Sequence, residues 1–188
     1  MTQKQIKQLL VKARLAEIEG GRISANFTGK KEKEGLLRRK FIARKGAGFS
    51  LTDSGRKKVR VVMTGGVFDI LHLGHVHTLE KARRKGDALV VAVAHDATVR
   101  RSKGRPPIYS AKERAALLGK LRCVDLALVG HPKDRMVTAR RVKPDVVVYG
   151  YDQKSAMRLK ARVMRLKKGV QEGRFKTSKA LEGLCREA

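Results

Sequence analysis

Two histidines three residues apart, His72 and His75, close the run Val61-Val62-Met63-Thr64-Gly65-Gly66-Val67-Phe68-Asp69-Ile70-Leu71-His72-Leu73-Gly74-His75. Each is a titratable hydrogen-bond donor placed just after paired glycines, and glycines let main-chain N–H groups approach an anion closely. Such donors suit a phosphorus centre that gathers charge on its oxygens during displacement, at roughly 3–4 kcal/mol each if they compare with an oxyanion-hole group. Taken singly, either histidine could instead be a helix-end hydrogen bonder or a core residue. Metal ligation by the pair is a third reading, which lacks an accompanying Cys or carboxylate cluster at zinc spacing.

The elements that must hold this pair can be read from the flanking residues. Val59 to Thr64 is a near-continuous apolar run of strand length, as expected for a parallel strand covered on both faces. From Gly74 to Lys85 the apolar positions Val76, Leu79 and Ala82 fall at helical spacing, and Gly86 supplies a stop. His75 then lies in the first helical turn, where unsatisfied N–H groups and the helix dipole favour a negative ligand.

Strand and helix patterns go on alternating downstream. Strands are expected at Ala88 to Ala94, Val124 to Val129, Asp145 to Tyr149 and Arg162 to Leu166. Helices are expected near Asp134 to Arg141, Lys154 to Lys160 and Ser178 to Arg186, with another opened by a Ser110–Glu113 capping box. The stretch from Ala94 through Pro107 reads as a basic loop. Five strands with crossover helices predict an α/β, Rossmann-like, doubly wound parallel sheet, whose ligand crevice lies at the strand C-termini.

His72-Leu73-Gly74-His75 resembles the His-x-Gly-His signature of the cytidylyltransferase-like nucleotidyltransferase superfamily, and Gly66-Val67-Phe68-Asp69 resembles its Gly-Thr-Phe-Asp segment. Val67 stands where that family usually has threonine, so a phosphate contact there must be main-chain. The resemblance implies that His72 and His75 are catalytic and contact the α-phosphate of a nucleoside triphosphate. It also implies a nucleotide site that includes Gly66, Val67, Phe68, Leu73 and Gly74.

Further on, Gly150-Tyr151-Asp152-Gln153 and Lys176-Thr177-Ser178-Lys179 narrow the resemblance to the archaeal type of FAD synthetase, an FMN adenylyltransferase. Gly150 and Asp152 would then lie beside the nucleotide, and Phe175, Lys176, Thr177 and Ser178 would close over its β- and γ-phosphates. Thr177 and Ser178 could equally be ordinary helix caps. The basic residues Arg100, Lys103 and Arg105, with Arg114 on the capped helix, are candidates for the acceptor's phosphate, although the first three could form a plain surface loop.

The implied reaction transfers AMP from ATP to FMN with release of pyrophosphate, with Mg²⁺ held mainly by the substrate phosphates and no protein metal ligand assigned. A CTP-dependent enzyme acting on glycerol phosphate or a similar phosphorylated alcohol is the alternative with the same chemistry. Flavin would need a largely aliphatic slot, since the chain has five Phe, three Tyr and no Trp. A third reading is a nucleic-acid-binding regulator with a nucleotide-sensing domain. The resemblance further suggests a homodimer.

A polar, basic tract near Gly55 to Lys58 separates this region, residues 58–188, from an N-terminal one, residues 1–57. The latter reads as a helix with Ile6, Leu9, Leu10, Ala13 and Ile18 on one face, a short helix near Ile23 to Phe27, a helix from about Lys31 to Lys40, and a hairpin. Leu51-Thr52-Asp53-Ser54-Gly55-Arg56 resembles the end of a winged-helix domain, in which a wing strand leads into a Thr-capped helix. Lys31, Lys33, Arg38, Arg39, Lys40, Arg44 and Lys45 would then face nucleic acid; a packing or dimerisation appendage is the other reading.

Composition sets the outer limits. A formal charge of +28, from 45 basic and 17 acidic residues, favours polyanionic ligands. Cys123 and Cys185 are too few and scattered for a disulfide framework, which points to a reducing, cytoplasmic setting. The polar N-terminus lacks a signal-peptide core, and no stretch has the apolar length of a membrane span.

Overall fold

The computed structural model describes residues 1–151, 153 and 159–167. The chain divides into two compact units between Arg60 and Val61.

In the first unit, α1 (Gln3–Gly20) starts at a capping box in which the Thr2 hydroxyl accepts the Gln5 N–H at 3.2 Å and the Gln5 side chain accepts the Thr2 N–H at 2.7 Å. Its buried stripe is Ile6, Leu10, Ala13, Arg14 and Ile18, so the predicted face is present with Leu9 at its margin. The helix ends at Gly21, whose left-handed conformation (φ 74°) lets its N–H reach the Glu17 carbonyl. α2 (Lys30–Arg38) follows, then the hairpin of β1 (Ile42–Lys45) and β2 (Gly48–Leu51), then α3 (Asp53–Lys57). Thr52 caps α3 as the sequence predicts, accepting the Gly55 N–H at 3.1 Å. Only glycine fits at position 55, because a Cβ there would lie 2.0 Å from the Phe41 carbonyl oxygen.

One expectation for this unit fails. Ile23 to Phe27 is not a helix: Ile23 exchanges two 2.9 Å backbone hydrogen bonds with Phe49, forming an antiparallel bridge that a turn follows. Pairing with the hairpin satisfies the Ile23 backbone while its side chain enters the core, and this outweighs the weak helical preference of so short a segment. A single helix, α2, therefore stands between Ile23 and the hairpin.

The second unit runs β3 (Val61–Gly66), α4 (Leu73–Arg83), β4 (Ala88–Val93), α5 (Asp96–Lys103), α6 (Ala111–Leu118), β5 (Leu126–Val129), α7 (Arg135–Val142), β6 (Val146–Tyr149) and β7 (Arg162–Arg165). The five strands are all parallel, in the order β5-β4-β3-β6-β7. The chain thus builds outward from β3 on one side, then crosses to β6 on the other, and the switch point falls between β3 and β6. Val62, Leu89, Val91, Val146 and Val148 pack with Leu79, Ala82 and Leu118 as the core. At the opposite, N-terminal edge, Asp145 and Asp125 each accept a strand amide, Val61 N–H and Leu89 N–H, at 2.7 Å.

All five predicted strands of this unit are present. The Ala94 to Pro107 stretch, expected as a loop, contains α5. That helix buries only Val99, is rich in Thr, Ser and Arg, and is capped by a histidine, so it carries neither apolar periodicity nor a usual cap. The helices expected at 154–160 and 178–186 lie outside the described residues, save for Leu159 and Lys160, which are not helical. No described helix is long and apolar enough to cross a membrane.

Candidate active site

The C-terminal end of β3 delivers the glycine pair to the switch point. At Gly66 a Cβ would stand 2.9 Å from the Phe68 ring, which folds back over it, so a larger residue there would displace that ring. Phe68 takes a left-handed backbone conformation (φ 53°), costly for an aromatic residue, and its buried ring meets His75 edge-on with centroids 5.1 Å apart. Asp69, also buried, accepts the Ile108 N–H at 2.7 Å and Arg105 Nη1 at 3.2 Å, which ties the segment after α5 to the β3 tail.

His72 is the N-cap residue of α4 and His75 lies in its first turn, as the spacing predicts. Their rings stack with centroids 3.8 Å apart and planes 23° from parallel. No side chain among the described residues caps this helix, so its first amides can meet an anion. His72 Nδ1 is buried and has no hydrogen-bond partner among the described residues. Burial also holds the His72 imidazole below the ordinary histidine range.

Across the switch point, Gln153 Nε2 donates to the Gly65 carbonyl at 2.7 Å, while Gln153 Oε1 accepts the Gly150 N–H at 3.1 Å. One side chain therefore pins the turn after β6 to the tail of β3. Gly150, expected beside the nucleotide, follows β6 directly and is held next to that tail by Gln153. Asp152, Phe175, Lys176, Thr177 and Ser178 lie outside the described residues.

Arg114 is not placed to bind an acceptor phosphate. Its side chain is buried, and its guanidinium donates to the carbonyls of Tyr109 (2.8 Å), Ala94 (2.9 Å) and Val67, and to Asp96 Oδ1 (2.6 Å). The tails of β3 and β4 end in carbonyls that need donors, and one planar guanidinium serves both. Arg105 is engaged with Asp69, and Arg100 and Lys103 are exposed on α5. None of these four lines the cavity described next.

A cavity of about 480 Å³ opens at the C-terminal ends of β3, β4, β5 and β6, within the range typical of small-molecule sites, roughly 300–1,000 Å³. Met63, Ala92, Val93 and Val147 give it aliphatic walls, and Thr64, His95, Thr98, Ser102, His131, Arg135, Thr138, Tyr149 and Gln153 contribute polar groups. Sequence reasoning named none of these as site residues, taking Gln153 only as part of the Gly150–Gln153 motif and His95, Thr98 and Ser102 only as part of the basic loop, although several follow directly on strand ends, where a doubly wound sheet places its ligands.

The cytidylyltransferase-like family profile matches residues 63–181, leaving 1–62 outside it. The FAD synthase of Pyrococcus abyssi is 44% identical over 140 residues, which span 69% of this chain and 94% of that protein. The FAD synthase of Thermoplasma volcanium is 52% identical over 93 residues, covering 50% of this chain and 65% of that one. Among solved structures, the lipopolysaccharide core biosynthesis protein from Thermoplasma volcanium superposes with a TM-score of 0.56 at 41% identity, over 59% of this chain and 98% of its own.

Proposed function

Since the chain belongs to the cytidylyltransferase-like family and is a nucleotidyltransferase, we propose that it is an FAD synthase, transferring AMP from ATP to FMN with release of pyrophosphate. The observation that carries this reading is the stacked His72–His75 pair at the uncapped start of α4, in a chain that spans 94% of a curated FAD synthase.

In this reading the ATP α-phosphate lies against the Gly66–His75 segment, and adenine lies toward Gly150 at the end of β6. FMN occupies the neighbouring cavity, with its ring against the aliphatic walls. An FMN phosphate oxygen forms the new bond to the α-phosphorus, the bond to the β-phosphate oxygen breaks, and pyrophosphate leaves with the electron pair. The attacking phosphate is already ionised, so no side chain need act as a base. Catalysis rests on alignment and on donors that strengthen as charge develops on the α-phosphate oxygens. His72 and His75 are those donors, and Phe68, Asp69 and Arg114 hold their loop. Among the described residues no three His, Cys, Asp or Glu side chains gather as a metal-binding group. Mg²⁺ accompanying ATP would be held mainly by the triphosphate oxygens, neutralising part of the charge of the leaving group.

Chromatographic assay of the purified chain separates the alternatives. ATP with FMN is expected to yield FAD and pyrophosphate, whereas CTP with glycerol 3-phosphate is expected to yield no cytidylylated product. Absence of FAD overturns the reading, and a cytidylylated product in its place assigns the other acceptor.

For the first unit we propose polyanion binding. Lys30, Lys31, Arg38, Arg39, Lys40, Arg44 and Lys45 are all exposed, and they lie on α2, the turn after it and the hairpin arm. With a single helix, α2, between Ile23 and the hairpin, contact to phosphates is the expected mode, without base readout. The logarithm of the binding constant for a short DNA duplex should fall linearly with the logarithm of salt concentration. Converting Arg38, Arg39 and Lys40 to glutamate should weaken it at least tenfold at low salt without changing FAD formation. A duplex affinity unaffected by the triple substitution removes this surface from consideration.

A further inference from the structure

We infer that His95 and His131 orient the acceptor, each presenting an Nε2–H donor to the carbonyl edge of a flat heteroaromatic ring in the 480 Å³ cavity. This deepens the FAD synthase reading and rests on it, because it names the groups that distinguish FMN from a small phosphorylated alcohol.

Backbone amides already occupy one ring nitrogen of each histidine. His95 is the N-cap of α5, and its Nδ1 accepts the Ala97 N–H at 3.1 Å. His131 precedes α7, and its Nδ1 accepts the N–H groups of Lys133 at 3.3 Å and Asp134 at 3.0 Å. A nitrogen that accepts a backbone N–H cannot itself carry a proton, so in each neutral ring the proton resides on Nε2. Neither ring can change tautomer without giving up those acceptor bonds, which hold the α5 cap and the turn into α7. Two side chains that line one cavity are thereby locked as donors.

The other polar groups around the cavity are largely committed. Thr98 Oγ1 donates to the Pro132 carbonyl at 3.0 Å, Ser102 Oγ donates to the Val99 carbonyl at 3.3 Å, and Thr138 Oγ1 accepts the His131 N–H at 2.9 Å. Gln153 Nε2 is spent on Gly65. Thr64, Arg135 and Tyr149 line the cavity as well, and a ligand meets an aliphatic slot from Met63, Ala92, Val93 and Val147 in which the two histidines are donors of fixed tautomer. A planar ring whose faces are apolar and whose edge bears carbonyl and imine acceptors complements that arrangement, and isoalloxazine is such a ring. The scarcity of aromatic residues then ceases to count against flavin, since orientation comes from the donors and the slot needs only aliphatic walls.

Asparagine is the discriminating substitution. Its carboxamide oxygen occupies the place of Nδ1 and keeps the backbone cap, but nothing replaces Nε2–H. In steady-state assays of the full chain, His95→Asn and His131→Asn should each raise KM for FMN about tenfold, the scale of one hydrogen bond whose partner is left buried and unsatisfied. KM for ATP and kcat should stay within about twofold of the parent, and His95→Gln, which restores an N–H near the Nε2 position, should recover part of the FMN affinity. Unchanged KM for FMN in both asparagine variants overturns the inference while leaving FAD synthesis intact. Parallel loss of kcat and of affinity for both substrates overturns it too, because it assigns the histidines a structural role. No FAD from the unsubstituted chain removes the parent reading and this inference together.

Discussion

Alanine at His75 is expected to lower kcat for FAD formation by about 10²–10³-fold while leaving KM for ATP within a few-fold of its starting value. The donor it removes strengthens as charge builds on the α-phosphate, so the loss falls on the transition state, and 2.7–4 kcal/mol is about what one such group contributes. His72→Ala should act in the same sense. The two losses should not add fully, because the rings are stacked at 3.8 Å and each helps position the other. Steady-state kinetics on folded variants decide the matter, and turnover unchanged in either variant refutes its role. The pH profile adds an independent test. Burial depresses the His72 pKa, so in the free enzyme the ring stays neutral through neutral pH and takes up a proton only below the ordinary histidine value of about 6.5. Any stability linked to the buried neutral ring is present above that value and lost as pH falls through the lower folded-state pKa. kcat/KM, which reports the free enzyme, should be level from pH 8 to about 6.5 and break only below it.

Arg114→Met should impair both folding and catalysis, although Arg114 touches no substrate in this reading. The side chain is 1% exposed, and its loss strands the carbonyls of Val67, Ala94 and Tyr109 together with the Asp96 carboxylate. Breaking a fully buried ion pair costs about 3–5 kcal/mol, and because Asp96 is 28% exposed about 2–4 kcal/mol is the fitting estimate. Against a typical total stability of about 5–15 kcal/mol this is a large share. It should lower the thermal midpoint of the second unit by about 5–15 °C. Arg114→Lys separates the two effects. An ammonium group retains the charge near Asp96 but cannot span three carbonyls with a planar fork, so the variant should fold yet lose roughly tenfold or more in kcat as the β3 tail loosens. Calorimetry with FAD assays measures both, and a fully active, fully stable lysine variant would disprove the positioning role.

Sequence and tertiary structure divided the information along physical lines. Features set by neighbours in the chain were legible beforehand. Apolar runs marked four of the five parallel strands, Ser110 and Glu113 did form their capping box, and His72 and His75 were placed at the start of a helix by spacing alone. Local patterns failed where burial or partners came from far away. α5 escaped notice because one valine anchors it and its remaining support is tertiary. Ile23 became a bridge residue because Phe49 lies opposite it, which only the folded hairpin could bring about.

The residue types that could handle a phosphate, and their order along the chain, followed from the sequence by itself, as did a sheet whose strand tips would gather them. Only tertiary structure could assign which groups face a ligand and which hold the frame. Arg114 looked like a phosphate binder, yet the sheet order sets the tails of β3 and β4 side by side above it, so their carbonyls claim its donors. Gln153 reaches Gly65 across 88 positions because β6 pairs with β3. His95 and His131 share a cavity because β4 pairs with β5. Strand order is decided by long-range burial, and it selects which strand ends become neighbours, which is why a linear motif pointed to phosphate chemistry but could not show which residues line the cavity beside it.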